Sequence, residues 1–116
     1  MTQPDDSVNA RLKQLYADYR RQLPERISYI AQQFEACCEQ PAPPAALHNL
    51  HYALHKLAGS GATFGHAEMG KIARYWEHLT GNILNSAAAA VSPSQQQEMR
   101  SLLAQLSRAA TIPDES

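Results

Sequence analysis

The chain lacks the features that mark membrane, secreted and general nucleic-acid-binding proteins. Its 116 residues contain no run of about 18 apolar residues, which argues against a membrane span. The first residues are acidic and polar, unlike a signal peptide. The net charge is only −1, whereas nucleic-acid binders usually carry a strongly basic face. We therefore expect a cytoplasmic protein of one domain, residues 1–116.

Cysteine is also scarce, because adjacent Cys37 and Cys38 are the only two. Neighbouring residues of a helix point about 100° apart, which disfavours a disulfide between them. No other cysteine is available to complete a metal site. We expect both thiols to be reduced and partly in the core.

Apolar residues recur at helical spacing along the chain, and no strand-like alternation occurs. Pro24 suits the first turn of a new helix, prolines between 41 and 44 oppose helix, and Ser92-Pro93-Ser94-Gln95 forms a capping-box pattern. The predicted helices cover about 7–21, 24–39, 44–62, 67–85 and 93–109, before a loose tail at 111–116. This pattern predicts an all-α fold, an antiparallel up-down-up-down four-helix bundle with a short extra N-terminal helix.

Three of the five glycines lie in one stretch, His55-Lys56-Leu57-Ala58-Gly59-Ser60-Gly61-Ala62-Thr63-Phe64-Gly65. Gly59 follows His55 by about one helical turn, although glycine inside a helix costs about 1 kcal/mol relative to alanine. A bare backbone there would let a large group approach the imidazole. At about 100° per residue, His55 lies roughly 120° from the centre of the apolar face, so we expect it on the flank or outside.

This stretch resembles the signature of the histidine-containing phosphotransfer (HPt) domain family, roughly His-x-Leu-Lys-Gly-Ser, small residues and then Gly. The matching positions are His55, Leu57, Gly59, Ser60 and Gly65. Ala58 stands where the family has lysine. The strong match covers residues 55–65, and a weaker match in pattern and length covers about 24–110. The resemblance implies that His55 carries a phosphoryl group.

The resemblance also implies a partner for the second ring nitrogen of His55, a Glu or Gln on the next helix. Glu77 lies 22 residues after His55 and matches that position. In an antiparallel pair that turns near Phe64, residues around 73–77 lie level with His55. The candidates for phosphoryl charge or docking are Lys56, Ala58, Lys71 and Arg74. Ala58 itself supplies no charge, so Lys56, Lys71 and Arg74 are the local substitutes for the family's lysine.

An exposed neutral imidazole is a good nucleophile near neutral pH, and phosphoryl transfer depends mainly on positioning and charge stabilisation. The resemblance implies a phosphorelay carrier of a two-component system. It would accept a phosphoryl group from a sensor or hybrid histidine kinase or from a receiver-domain aspartate, and pass it to a response-regulator receiver. We expect a free-standing monomer with no cofactor, nucleic acid or membrane, and Mg²⁺ held by the partner receiver. No phosphate-binding Gly-Lys-Ser/Thr loop points to an independent enzyme.

Two other functions remain open. The absence of lysine at Ala58 is compatible with a non-catalytic adaptor bundle that binds receiver domains without transfer. Alternatively, His51 and His55 stand at i and i+4, with His48 three residues before His51, and such histidines can bind zinc or nickel on one helical face. No carboxylate or cysteine accompanies these histidines on the same predicted helix.

Overall fold

The fold is an all-α bundle with the expected antiparallel order. The structure is a computed structural model that describes the backbone of residues 4–114 and the side chains of residues 7–114. Within this range there are no strands. The helices are α1 (Pro4–Cys37), α2 (Ala46–Gly61), α3 (Ala67–Leu84) and α4 (Pro93–Ala110). Each helix packs against its neighbours along the chain, and α1 also packs against α4, which closes the bundle.

The prediction of a separate short N-terminal helix is wrong, because α1 continues through Pro24 without a break. Proline lacks the N–H donor and crowds the carbonyl of the preceding turn, at a cost of about 3 kcal/mol. Pro24 and Arg20 are both exposed, so water can hydrate the carbonyl that loses its donor. Leu23 and Ile30, on either side, are buried in the same core. Packing on both sides of the proline therefore outweighs its local cost.

One hydrophobic core runs along the bundle and receives side chains from every helix. Its largest fully buried apolar side chains are Trp76, Phe34, Leu23, Ile30, Leu50, Leu54, Leu57, Met69, Met99 and Leu106. The first turns of α1 lie outside this core, because Val8, Leu12 and Leu15 are exposed. The molecule is correspondingly long and narrow, 63 × 21 × 20 Å.

α1 begins at Pro4, three residues before the predicted start at about residue 7, and the remaining helix ends lie within two residues of the predicted ones. The helix predicted from residue 44 begins at Ala46, after the proline-rich connector. At the start of α4, the side chain of Ser92 accepts a hydrogen bond from the backbone N–H of Gln95, and the side chain of Gln95 accepts one from the backbone N–H of Ser92. The predicted capping box is therefore confirmed.

Both cysteines carry free thiols, as expected. Cys37 is buried at the end of α1, and burial together with the neighbouring Cys38 raises the pKa of its thiol to about 11. This thiol is therefore protonated and unreactive at neutral pH. Among the described helices, none combines the length and apolar character that a membrane crossing requires.

Candidate functional site

The exposed imidazole of His55 lies near the middle of α2. Leu50, Leu54 and Leu57 follow one another at helical spacing and are buried against the core. This burial fixes the rotation of α2, because one apolar face must point inward. His55 lies off that face, and its side chain is 59% exposed. The helix therefore presents the imidazole to solvent, as the spacing predicts.

Glu77 of α3 holds one nitrogen of this ring. Nδ1 of His55 lies 2.7 Å from Oε2 of Glu77, whose side chain is only 13% exposed. An ionised carboxylate only accepts hydrogen bonds, so Nδ1 carries the proton and donates it to Glu77. Nε2 of the neutral ring then keeps a free lone pair, and it has no hydrogen-bond partner among the described residues. The geometry therefore leaves Nε2 available as a nucleophile.

Glu77 also accepts a hydrogen bond from Arg74, one turn earlier on α3. Nη1 of Arg74 lies 2.8 Å from Oε1 of Glu77. Burial raises the pKa of Glu77, but the hydrogen bond and charge of His55, with the charges of Arg74 and His51, lower it more. The net effect is a lowered pKa, so the carboxylate is ionised at neutral pH. It can then orient His55 and stabilise positive charge on the ring.

The approach to His55 is open on the side of Gly59. A Cβ atom added to Gly59 would have no neighbouring heavy atom within 4 Å, and the residue is exposed. Glycine at this position therefore fills no packing requirement inside the bundle. The bare backbone instead leaves space over the turn that follows His55.

The three candidate cations lie in different places on the structure. Arg74 lies at the His55–Glu77 pair, but its guanidinium is bound to Glu77. The ammonium of Lys56 lies 4.9 Å from the ring centroid of Tyr52, in a groove between α1 and α2. Lys71 lines another groove, between α3 and α4. Of the three predicted cations, only Arg74 is positioned at the site.

Ala58, the position of the family's lysine, faces inward and is 7% exposed. Its carbonyl oxygen lies against α3, since a Cβ added to Gly70 would approach it to 3.4 Å. The alanine side chain therefore packs between α2 and α3 and offers neither charge nor a docking surface. The docking role considered for Ala58 itself is not supported by this placement.

Two hydrogen bonds that join α2 to its neighbours beside the site were not predicted from the sequence. Nδ1 of His51 lies 2.8 Å from Oγ1 of Thr80 on α3. On the other side, the hydroxyls of Ser60 and Tyr19 are 2.7 Å apart and join α2 to α1. A signal for the first contact was present, because His51 precedes His55 by one turn and Thr80 follows Glu77 by about one turn. Antiparallel packing brings these two residues level.

A metal site is not formed by these histidines. Nδ1 of His51 is directed to Thr80, and Nδ1 of His55 is bound to Glu77. In the part of the chain with described side chains, no group of three or more His, Cys, Asp or Glu residues is arranged to hold a metal ion. The histidine spacing on α2 thus serves helix packing and the His55–Glu77 pair.

Comparison with known proteins identifies the family of this site. Neither the curated proteins nor the solved structures contain a match to the chain. The model of the Hpt domain family matches residues 14–109. This range includes the buried core residues of all four helices, together with His55, Gly59 and Glu77. The chain therefore belongs to the Hpt domain family, the phosphotransfer carriers of two-component signalling.

Proposed function

We propose that this protein accepts a phosphoryl group on Nε2 of His55 and passes it to the receiver domain of a response regulator. The donor is a histidine kinase or the aspartyl phosphate of another receiver. The observation that carries the proposal is the 2.7 Å hydrogen bond between Nδ1 of His55 and Glu77, on a ring that is otherwise exposed. It fixes the tautomer and leaves the outer nitrogen free to react.

The transfer step balances without a catalytic acid or base from this chain. The Nε2 lone pair of His55 attacks phosphorus, and an N–P bond forms while the P–O bond to the donor aspartate breaks. The aspartate leaves as a carboxylate, and Nδ1 keeps its proton throughout. The phosphorylated ring then carries positive charge, which the ionised carboxylate of Glu77 stabilises at hydrogen-bond distance. Onward transfer is the reverse step with a new aspartate.

The remaining parts of the reaction belong to the partner. In-line transfer requires the donor aspartate to approach along the free lone pair, and the open space over Gly59 allows a protein surface to do so. We propose that Mg²⁺ bound by the receiver neutralises the phosphoryl oxygens. This division explains why the chain needs no nucleotide-binding loop of its own.

The decisive experiment is labelling with a ³²P-phosphorylated receiver. The wild-type protein should gain acid-labile, base-stable phosphate, and His55→Gln should gain none while its melting temperature stays within about 2 °C, because the residue is exposed. His48→Gln is the matched control, since His48 is an exposed histidine of the same helix, and it should be labelled normally. Labelling of His55→Gln would refute the proposal.

The same experiment separates transfer from the adaptor function. Arg74 is bound to Glu77 and Ala58 is uncharged, so the site holds less free positive charge than the family signature implies. An adaptor would bind the receiver, as measured by titration calorimetry, without taking up phosphate. Binding without labelling of the wild-type protein would therefore replace the carrier function by the adaptor.

A further inference from the structure

A second histidine contacts the α3 turn that carries Glu77. His51 lies one turn before His55 on α2 and is half-buried against α3. Its Nδ1 is 2.8 Å from Oγ1 of Thr80 and 3.1 Å from the carbonyl oxygen of Glu77. Thr80 is fully buried, and its hydroxyl donates to the same carbonyl over 2.8 Å. The three groups form a closed set of hydrogen bonds between the helices.

The direction of these hydrogen bonds follows from their chemistry. A carbonyl oxygen only accepts, so both Nδ1 of His51 and the hydroxyl of Thr80 donate to Glu77. The Thr80 proton is used in that bond, so the Thr80 oxygen also accepts from Nδ1 of His51, whose single proton is shared between the two oxygen atoms. His51 is therefore held as the tautomer with a proton on Nδ1. It acts as a donor from α2 to the backbone of α3.

The ring position of His51 is also set by shape. A Cβ atom added to Gly81 would lie 3.3 Å from Cε1 of His51, a tighter contact than side chains normally make. The imidazole thus lies directly against the bare backbone of α3. Hydrogen bonds on one edge and backbone contact on another leave the ring little freedom.

Glu77 is consequently held by α2 at two points. His55 binds its carboxylate, and His51 binds its main-chain carbonyl from the adjacent turn. We propose that His51 is a positioning residue for phosphoryl transfer, which sets the height and rotation of α3 so that the carboxylate of Glu77 meets Nδ1 of His55. The inference rests on the proposed function for its effect on rate, because only a reacting His55 makes the position of Glu77 matter.

The expected effect follows from the geometry that must be kept. Reactivity falls steeply when a reacting group is misplaced by about 1 Å. A shift of that size would break the 2.7 Å hydrogen bond between His55 and Glu77. Without His51, Glu77 loses one of its two contacts with α2, and we expect His55 to spend part of its time as the other tautomer. We expect phosphoryl uptake to slow about tenfold.

The test uses two replacements of His51 and a matched control. His51→Leu removes the donor and keeps an apolar side chain, while His51→Asn keeps an N–H group bonded to Cγ, where Nδ1 stands in histidine. His48→Leu is the control on the exposed side of α2. The readouts are the ¹⁵N shifts of the His55 ring, the uptake rate from phosphoramidate and the melting temperature.

In His51→Leu we expect a smaller fraction of the Nδ1-protonated His55 tautomer and an uptake rate about tenfold lower. His51→Asn should recover most of both, and His48→Leu should match the wild type. Unchanged His55 shifts and rate in a folded His51→Leu protein would overturn the inference. So would failure of His51→Asn to recover either quantity.

A milder variant keeps the inference testable if His51→Leu does not fold. Gly81→Ala places a methyl group against the His51 ring and should displace it by a few tenths of an ångström. We expect the same direction of change in the His55 shifts, although alanine favours helix; unchanged shifts would overturn the inference. If the wild-type protein takes up no phosphate, the proposed function fails, and the ¹⁵N shifts still decide whether His51 positions Glu77.

Discussion

Two neighbouring regions of α2 use glycine in opposite ways. In the open region around His55 and Gly59, a Cβ on the glycine would touch nothing within 4 Å. In the closed region at the end of α2, a Cβ on Gly61 would lie 3.0 Å from the carbonyl oxygen of His66 and 3.1 Å from Cα of Gly70. The first glycine leaves space for a partner, whereas the second lets α3 touch α2.

The histidines of the two regions differ in the same sense. The exposed His55 has a carboxylate partner, whereas His66 is 1% exposed and neither of its ring nitrogens has a hydrogen-bond partner among the described residues. Asp114 closes this end, since its backbone N–H donates to Gly65 and its carboxylate accepts from the N–H of Ala67. One region is therefore built for charge and access, and the other for packing.

Gly59→Leu tests the open region and should have the largest effect. Leucine favours helix, so stability should be kept or raised by up to about 1 kcal/mol. Transfer from a phosphorylated receiver should fall about 100-fold, because the side chain obstructs the approaching protein. Uptake from phosphoramidate, which is small, should remain.

Gly59→Ala is the matched control for this prediction, since a single methyl group meets no neighbour. It should transfer at close to the wild-type rate. Equal losses with the receiver and with phosphoramidate in Gly59→Leu would mean that the leucine disturbs His55 itself. A normal rate with the receiver would mean that partners approach from another side.

Glu77→Ala tests the charge that distinguishes the open region. Removing the carboxylate leaves Nδ1 of His55 without its acceptor and the phosphorylated ring without a counter-charge. We expect uptake from phosphoramidate to slow about 30-fold, a loss in the range expected for electrostatic stabilisation of this kind. Glu77→Gln keeps an acceptor oxygen, so its uptake rate should lie between those of the wild type and Glu77→Ala. An unaffected rate in Glu77→Ala would remove Glu77 from the site.

Gly61→Ala against Gly59→Ala sharpens the comparison of the two glycines. The first adds a methyl group where backbone atoms already approach to 3.0–3.2 Å, so it should lower the free energy of unfolding by about 1–3 kcal/mol. The second should raise it by up to about 1 kcal/mol. Urea unfolding measures both. Equal stability of the two variants would show that the helices separate easily at Gly61.

The sequence predicts parts of this contrast and not others. The exposed position of His55 follows from the helical spacing of the leucines, and Glu77 follows from antiparallel geometry together with the family resemblance. Helical spacing places Gly59 and Gly61 on different faces of α2, but the close approach of His66 and Gly70 to Gly61 is seen only in the structure. Long-range contacts of this kind depend on how deeply two helices pack, which no local pattern encodes.

Other differences have the same origin. Pro24 predicts a helix boundary by local chemistry, but buried residues on either side keep α1 continuous. Arg74 lies within one turn of Glu77 on the same helix, but its bond to the carboxylate, rather than to an incoming phosphoryl group, depends on side-chain geometry across that turn. The antiparallel register of α2 and α3 brings His51 level with Thr80, but their hydrogen bond also depends on the side-chain rotamers, which no local pattern encodes.

The smallest expected effect is a pH dependence of stability that comes from His66 in the closed region. Burial, with the charge of Arg20, lowers the pKa of His66 from its ordinary value of 6.5 despite the opposing charge of Asp114. As the pH falls, the unfolded chain therefore binds a proton at His66 at a higher pH than the folded protein does. Stability is fully present above about pH 6.5 and is lost as the pH falls toward the lowered pKa, by at most about 1.4 kcal/mol per pH unit.

Urea unfolding at pH 7.5, 6.5 and 5.5 measures this loss of stability. The range lies above 4.5, the ordinary pKa of a glutamate such as Glu77, so the protonation of Glu77 in the unfolded chain contributes little. His66→Leu should flatten the dependence, because leucine has no proton to bind and His66 makes no hydrogen bond through its ring within the described structure. If the free energy of unfolding of His66→Leu depended on pH as strongly as that of the wild type, the pH response would lie outside the closed region. His66 would then be protonated without opening the bundle.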